Sequence, residues 1–121
     1  MEDLAAREDL TSPAEPGDDL VSWAAAESEA RLSDLGDRWL HVKAVAAKAA
    51  RVSRAFDGED RAYLLAAAHL HDLGYSPSLR VTGLHQLDGA THLRALGQER
   101  LARLVAHHSE ARFELKLRAW P

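Results

Sequence analysis

The sequence predicts an all-α fold, a compact bundle of five to six helices. Apolar residues recur at the i, i+3, i+4, i+7 spacing of buried helix faces through most of the chain. Glycines and one proline-bearing loop break that spacing into helix-length segments. The chain carries no repeats and no strong hairpin signal that would pair one alternating segment with another.

Each element follows from local signals. Residues 1–19 (MEDLAAREDLTSPAEPGDD) read as a flexible acidic leader, because Pro13, Pro16 and Gly17 break any helix and the acids solvate it. The globular domain is expected over 20–121. Its first helix spans about 20–34, with Val21, Ala25, Ser28 and Leu32 as the inner stripe, and Gly36 stops it. Asp37 is a suitable N-cap for a second helix over about 38–56, whose inner face carries His41, Val45, Ala49, Val52 and Phe56. Asp57 or Gly58 precedes a third helix over about 59–73, with acids in its first turn where they suit the helix dipole. Gly74 ends that helix and is expected to adopt a left-handed conformation. The loop YSPSLRVTG leads to a fourth helix over about 84–96, closed by Gly97, and a fifth over about 98–109. The tail ARFELKLRAWP alternates like a strand, but Phe113, Leu117 and Trp120 also share a helical face, and with no strand to pair with it is expected to be helical.

With 121 residues the chain is long enough for one domain with a real core. No apolar run reaches the ~18 residues that cross a bilayer. The N-terminus lacks the layout of a secretory signal, and the absence of cysteine removes disulfides and thiolate metal sites. A cytoplasmic protein fits these features. The net charge of −4 is uneven: residues 1–40 carry −8 and residues 41–121 carry +4, so the second part favours an anionic ligand. No basic stripe interleaved with aromatics appears, which argues against duplex nucleic acid as a partner. Trp23, Trp39 and Trp120 are candidates to cover an interface in a homo-oligomer.

The segment YLLAAAHLHDLGY raises the main question. A helix that is apolar all round is a buried helix, yet this one ends in His69, His71 and Asp72, and an unpaired carboxylate in a core is costly. Six of the seven histidines lie between positions 69 and 108. His41 lies on the apolar face of its helix. His85 opens the fourth helix and shares a stripe with Asp88 and His92. His108 shares a face with Leu101, Leu104 and Val105, whereas His107 points toward Arg100 and Arg103. A lone inward histidine is more often a hydrogen-bonded core residue, and that reading is kept for His69 and His92, as supporting or partly exposed groups. The set as a whole suits a divalent ion, because imidazole nitrogen and carboxylate oxygen are its ligands. Such an ion would also compensate the buried Asp72.

A histidine on one helix, then HD after a buried helix, then HQLDGA, then AHHS resembles the HD-domain superfamily of metal-dependent phosphohydrolases, over roughly residues 37–113. The resemblance implies a compact helical bundle and metal ligands at His41, His71, Asp72, His85 and His108, holding one or two ions of Mn, Fe, Co, Ni, Zn or Mg. It also implies a small phosphorylated substrate such as a nucleotide, with Asp72 orienting or deprotonating the attacking water. Arg80, just after the dyad, is the preferred phosphate-binding cation, followed by Lys43 and Arg94. The family pattern ends with a further Asp beyond the histidine pair, whereas here no Asp follows Asp88. Truncation or an altered reading frame is the leading reading of that departure. The alternatives are substitution by Asp88 and a non-catalytic domain that binds metal or nucleotide in a regulatory role.

Overall fold

The structure, a computed structural model, describes residues 18–108. Five α-helices lie among them: α1 (Asp18–Leu32), α2 (Asp37–Val52), α3 (Gly58–Leu70), α4 (His85–Ala95) and α5 (Glu99–Ala106). No strand occurs among the described residues, so the fold is all-α. The leader up to residue 17 and the helix expected over the tail lie outside the described residues.

Helix α3 packs against α1, α2 and α5, and α4 packs mainly against α5 and the turn that follows α3. Ala62, Ala66 and Leu70 are the buried line of α3, and the positions between them are half-buried, so none from 62 to 70 faces open solvent. Small side chains at 62 and 66 let neighbouring helices approach closely. Leu70 is fully buried with Leu20, Leu73, Leu93 and Leu101 in one core, a placement worth about 1.5–3 kcal/mol per side chain.

Several expected stripes shift. The buried face of α1 runs through Leu20, Trp23, Ala24, Ser28 and Leu32, so Val21 and Ala25 flank it at half burial. The bulk of Leu20 and Trp23 sets that phase, and Trp23 belongs to the core rather than to an interface. In α2 the fully buried residue is Val42. Val45 and Ala49 are half-buried, while Val52 and Phe56 are exposed. This face borders a groove of about 370 Å³ shared with Leu64, Ala68 and Leu104, which opens on His71 and His108. α2 also ends at Val52, and Ser53–Ala55 form a 3-10 turn whose extended end holds Phe56.

The most consequential difference is the end of α3. The helix stops at Leu70, three residues before its expected end, so His71 and Asp72 sit in the turn beyond it. Asp72 has φ −105° and ψ 15°, off the helical path, and leads into a 3-10 turn over Leu73–Tyr75. Gly74 does not have the left-handed conformation expected of it, since the positive-φ glycines among the described residues are Gly36, Gly58, Gly83 and Gly97. Its lack of a side chain serves close packing instead: a Cβ there would meet the main chain of His85 and Gly89. The first turn of α4 is thereby pressed onto the HD turn.

Candidate metal centre

Asp72 is the hub. Its carboxylate is nearly inaccessible, and its Oδ2 faces His71 Nε2 at 3.4 Å, His41 Nε2 at 3.8 Å and the Arg38 guanidinium at 3.2 Å. Its Oδ1 faces His85 Nε2 at 3.4 Å. His108 completes a second group with Asp72 and His85. Within each of the two groups, His41–His71–Asp72 and Asp72–His85–His108, the donor atoms lie within 4.8 Å of one another. The rings follow one another in an arc: His41 to His71, His71 to His108 and His108 to His85 have centroids 5.5, 5.3 and 5.3 Å apart.

Three of these residues owe their positions to main-chain features. His71 and Asp72 are aimed by the end of α3, and His85 by the approach of α4 to Gly74. His108 stands two residues beyond α5, which packs on α4. His41 is less inward than expected. Its side chain is 53 % exposed, and it reaches Asp72 from the rim while Val42 anchors the helix.

The tautomers follow from the hydrogen bonds. His71 Nδ1 lies 2.8 Å from the carbonyl oxygen of Ala68, and His108 Nδ1 is bonded to that of Val105. A carbonyl only accepts, so Nδ1 carries the proton in both rings and the Nε2 lone pair is directed into the site. A hydrogen bond at the far nitrogen that fixes ring and tautomer is the usual arrangement of metal-ligating histidines. Burial pushes the His108 pKa below its ordinary value and outweighs the opposing Val105 contact. Burial does the same at His85, where Asp72 pulls upward and His108, Arg38 and His71 push downward. Both imidazoles are therefore held neutral, the form that coordinates. A buried carboxylate faced by four imidazoles, two of them fixed with the Nε2 lone pair directed inward, fits a divalent ion chemically.

The remaining site candidates are sorted by their contacts. Arg80 is exposed and lines a cavity of about 170 Å³ with Gly74, Tyr75, Gly83 and His85. Lys43 does not join the cluster: its ammonium lies over the Trp39 ring, 5.6 Å from the centroid. Arg94 is held in a two-pronged pair with Glu99 at 2.8 and 2.9 Å, tying the end of α4 to the start of α5. Asp88 does not take the place of a metal ligand. It is buried, and its oxygens accept hydrogen bonds from the Val81, Thr82 and Gly83 amides and from the Thr82 hydroxyl. Burial pushes its pKa up, and these bonds overcome that and hold it below the ordinary carboxylate value. His92 turns away from the cluster and bonds Glu27 at 2.9 Å, while His69, two residues before His71, is half-buried. His107 is exposed.

Arg38 and Tyr75 are the residues that sequence reasoning missed. Arg38 precedes His41 by three residues and so shares its helix face, a spacing that pointed to it. Tyr75 stacks on His85 with centroids 4.2 Å apart and an interplanar angle of 17°.

No curated protein and no solved structure matches the chain. The family model described as HD domain matches residues 38–119, which include all four clustered histidines and Asp72. The chain therefore belongs to the HD-domain family, whose members are typically metal-dependent hydrolases.

Proposed function

We infer that this chain hydrolyses a small phosphate ester, a nucleotide or a related metabolite, with one or two divalent ions held by His41, His71, Asp72, His85 and His108. The observation that carries the reading is the division of Asp72: one oxygen faces His41 and His71, and the other faces His85. The two donor groups share this one carboxylate, so His41, His71 and Asp72, or Asp72, His85 and His108, would hold an ion there. A bound dication supplies Lewis acidity toward a phosphoryl oxygen and lowers the pKa of water.

The protein's own groups account for the rest. Imidazole ligands bring no charge, so a dication held by four of them and a single carboxylate would be undercompensated and would attract an anion. His71 and His108, fixed through Ala68 and Val105, keep their lone pairs directed without reorganisation. Asp72 orients the attacking water and takes up its proton. Arg80, exposed beside His85 across the small cavity, holds non-bridging oxygens of the phosphate. With Asp88 committed to its loop, substitution by that residue drops out of the reading.

The test is phosphate release from a panel of nucleotides and simple phosphomonoesters by purified protein with added Mn²⁺. Release that is abolished by chelator and by Asp72→Asn supports hydrolysis. Metal binding without release from any of the panel replaces it with a binding-only domain.

A further inference from the structure

We propose that Arg38 is the principal phosphate-binding residue of this centre, an inference that rests on the phosphohydrolase reading. One of its N–H donors is hydrogen-bonded to Asp72 Oδ2, the oxygen that also faces His41 and His71. Its guanidinium lies over the Tyr75 ring with Cζ 3.9 Å from the centroid. The His85 imidazole is stacked on the same ring. Two planar groups this close to one centroid cannot share a face, so Tyr75 is clamped between a metal-ligand candidate and the arginine. This sandwich holds the guanidinium at the edge of the centre, where the side chain remains 39 % exposed.

The placement matches what a phosphate needs. A guanidinium has five donors in a rigid fork and binds phosphate oxygens in pairs. Among the described residues one donor is engaged, on Asp72, and the partly exposed fork keeps further donors for an anion. Stacking on Tyr75 removes the rotamer freedom that a free arginine would lose on binding, which favours anion capture. Arg38 also adds positive charge next to the metal position, so it weakens cation binding slightly while it strengthens anion binding. A supporting strut for Asp72 would have the opposite effect on the metal, and this difference makes the proposal testable.

The experiment is calorimetric titration with Mn²⁺, followed by inorganic phosphate on the Mn²⁺-loaded protein, for the parent, Arg38→Gln and Arg38→Lys. Arg38→Gln is expected to bind Mn²⁺ as tightly as the parent or a few-fold tighter, which also reports a folded site. Its phosphate affinity is expected to fall about tenfold to a hundredfold, the loss of charged hydrogen bonds. Arg38→Lys is expected to recover part of that loss, because a point charge cannot reproduce the paired contact. Phosphate binding by Arg38→Gln within twofold of the parent overturns the proposal alone, as does weaker Mn²⁺ binding with phosphate affinity unchanged. A Mn²⁺-loaded parent that binds no phosphate overturns the hydrolase reading together with it.

Discussion

Gly74 and His85 touch backbone to backbone: a Cβ built at position 74 would lie 1.9 Å from the His85 carbonyl oxygen. The atom in the way is main chain, which no rotamer change can move. The contact brings the first turn of α4 against the turn that carries Asp72, and it places the His85 ring at the carboxylate. Gly74→Ala must therefore push α4 outward. The expected cost is at least the 1–3 kcal/mol typical of overpacking, read as a lower midpoint in chemical denaturation. Mn²⁺ affinity should fall as well, because His85 leaves Asp72. A variant with the parent's stability and metal affinity would show that the two segments are not in this contact.

Much of the fold was legible because its signals are local. The spacing of apolar residues, the breaks at Gly36 and Gly97 and the acids at the start of α3 each act within a few residues. The ligand candidates were legible for the same reason: His71 and Asp72 are adjacent, and His41, His85 and His108 each lie at a readable place on or beside a helix. What failed depended on contacts between segments distant in sequence. Gly74 reads as a left-handed cap in the sequence because glycine after a helix commonly has that role. The real cause is an approach by α4, which nothing near residue 74 announces. Asp88 shares its helical phase with His85, which makes it a ligand candidate in the sequence, whereas its partners lie in the loop that folds back over the helix start. Arg38 shares a helix face with His41, but its role depends on the Asp72 carboxylate and the Tyr75 ring, both distant in sequence.

The pair between Glu27 and His92 predicts a pH dependence separate from the metal centre. His92 Nε2 lies 2.9 Å from Glu27 Oε2, and Arg31 binds the same oxygen at 2.7 Å, so α1 is tied to α4. The His92 hydrogen bond holds the Glu27 pKa below its ordinary 4.5, against opposing burial and with help from Arg31. The folded-state value is therefore lower than the unfolded one, and the unfolded chain takes up the proton first. The resulting stability is complete above about pH 4.5 and is lost as pH falls through the folded value. Glu27→Gln should cost about 1–2 kcal/mol near neutral pH and flatten this part of the acid limb. Denaturation midpoints measured from pH 7 to pH 3 give the comparison. Parallel curves for parent and variant would mean that the pair contributes nothing to stability.

Asp88 distinguishes a loop anchor from a metal ligand. Three consecutive amides, those of Val81, Thr82 and Gly83, donate to its carboxylate, and the Thr82 hydroxyl adds a contact at 2.8 Å. This holds the loop between Arg80 and the first turn of α4, where Arg80 and His85 line one cavity. Asparagine preserves the size of the side chain but replaces one acceptor oxygen with an NH₂ donor, which would face N–H groups already pointing at it. Asp88→Asn should therefore leave a buried donor unsatisfied and cost about 1–3 kcal/mol. A ligand role predicts a large loss of Mn²⁺ affinity in that variant. The anchor role predicts Mn²⁺ affinity within a few-fold of the parent together with a lower denaturation midpoint. It also predicts faster amide exchange at Val81, Thr82 and Gly83, because their protection comes from this one carboxylate. Unchanged exchange at those amides, combined with a loss of metal binding, would move Asp88 from the loop into the centre.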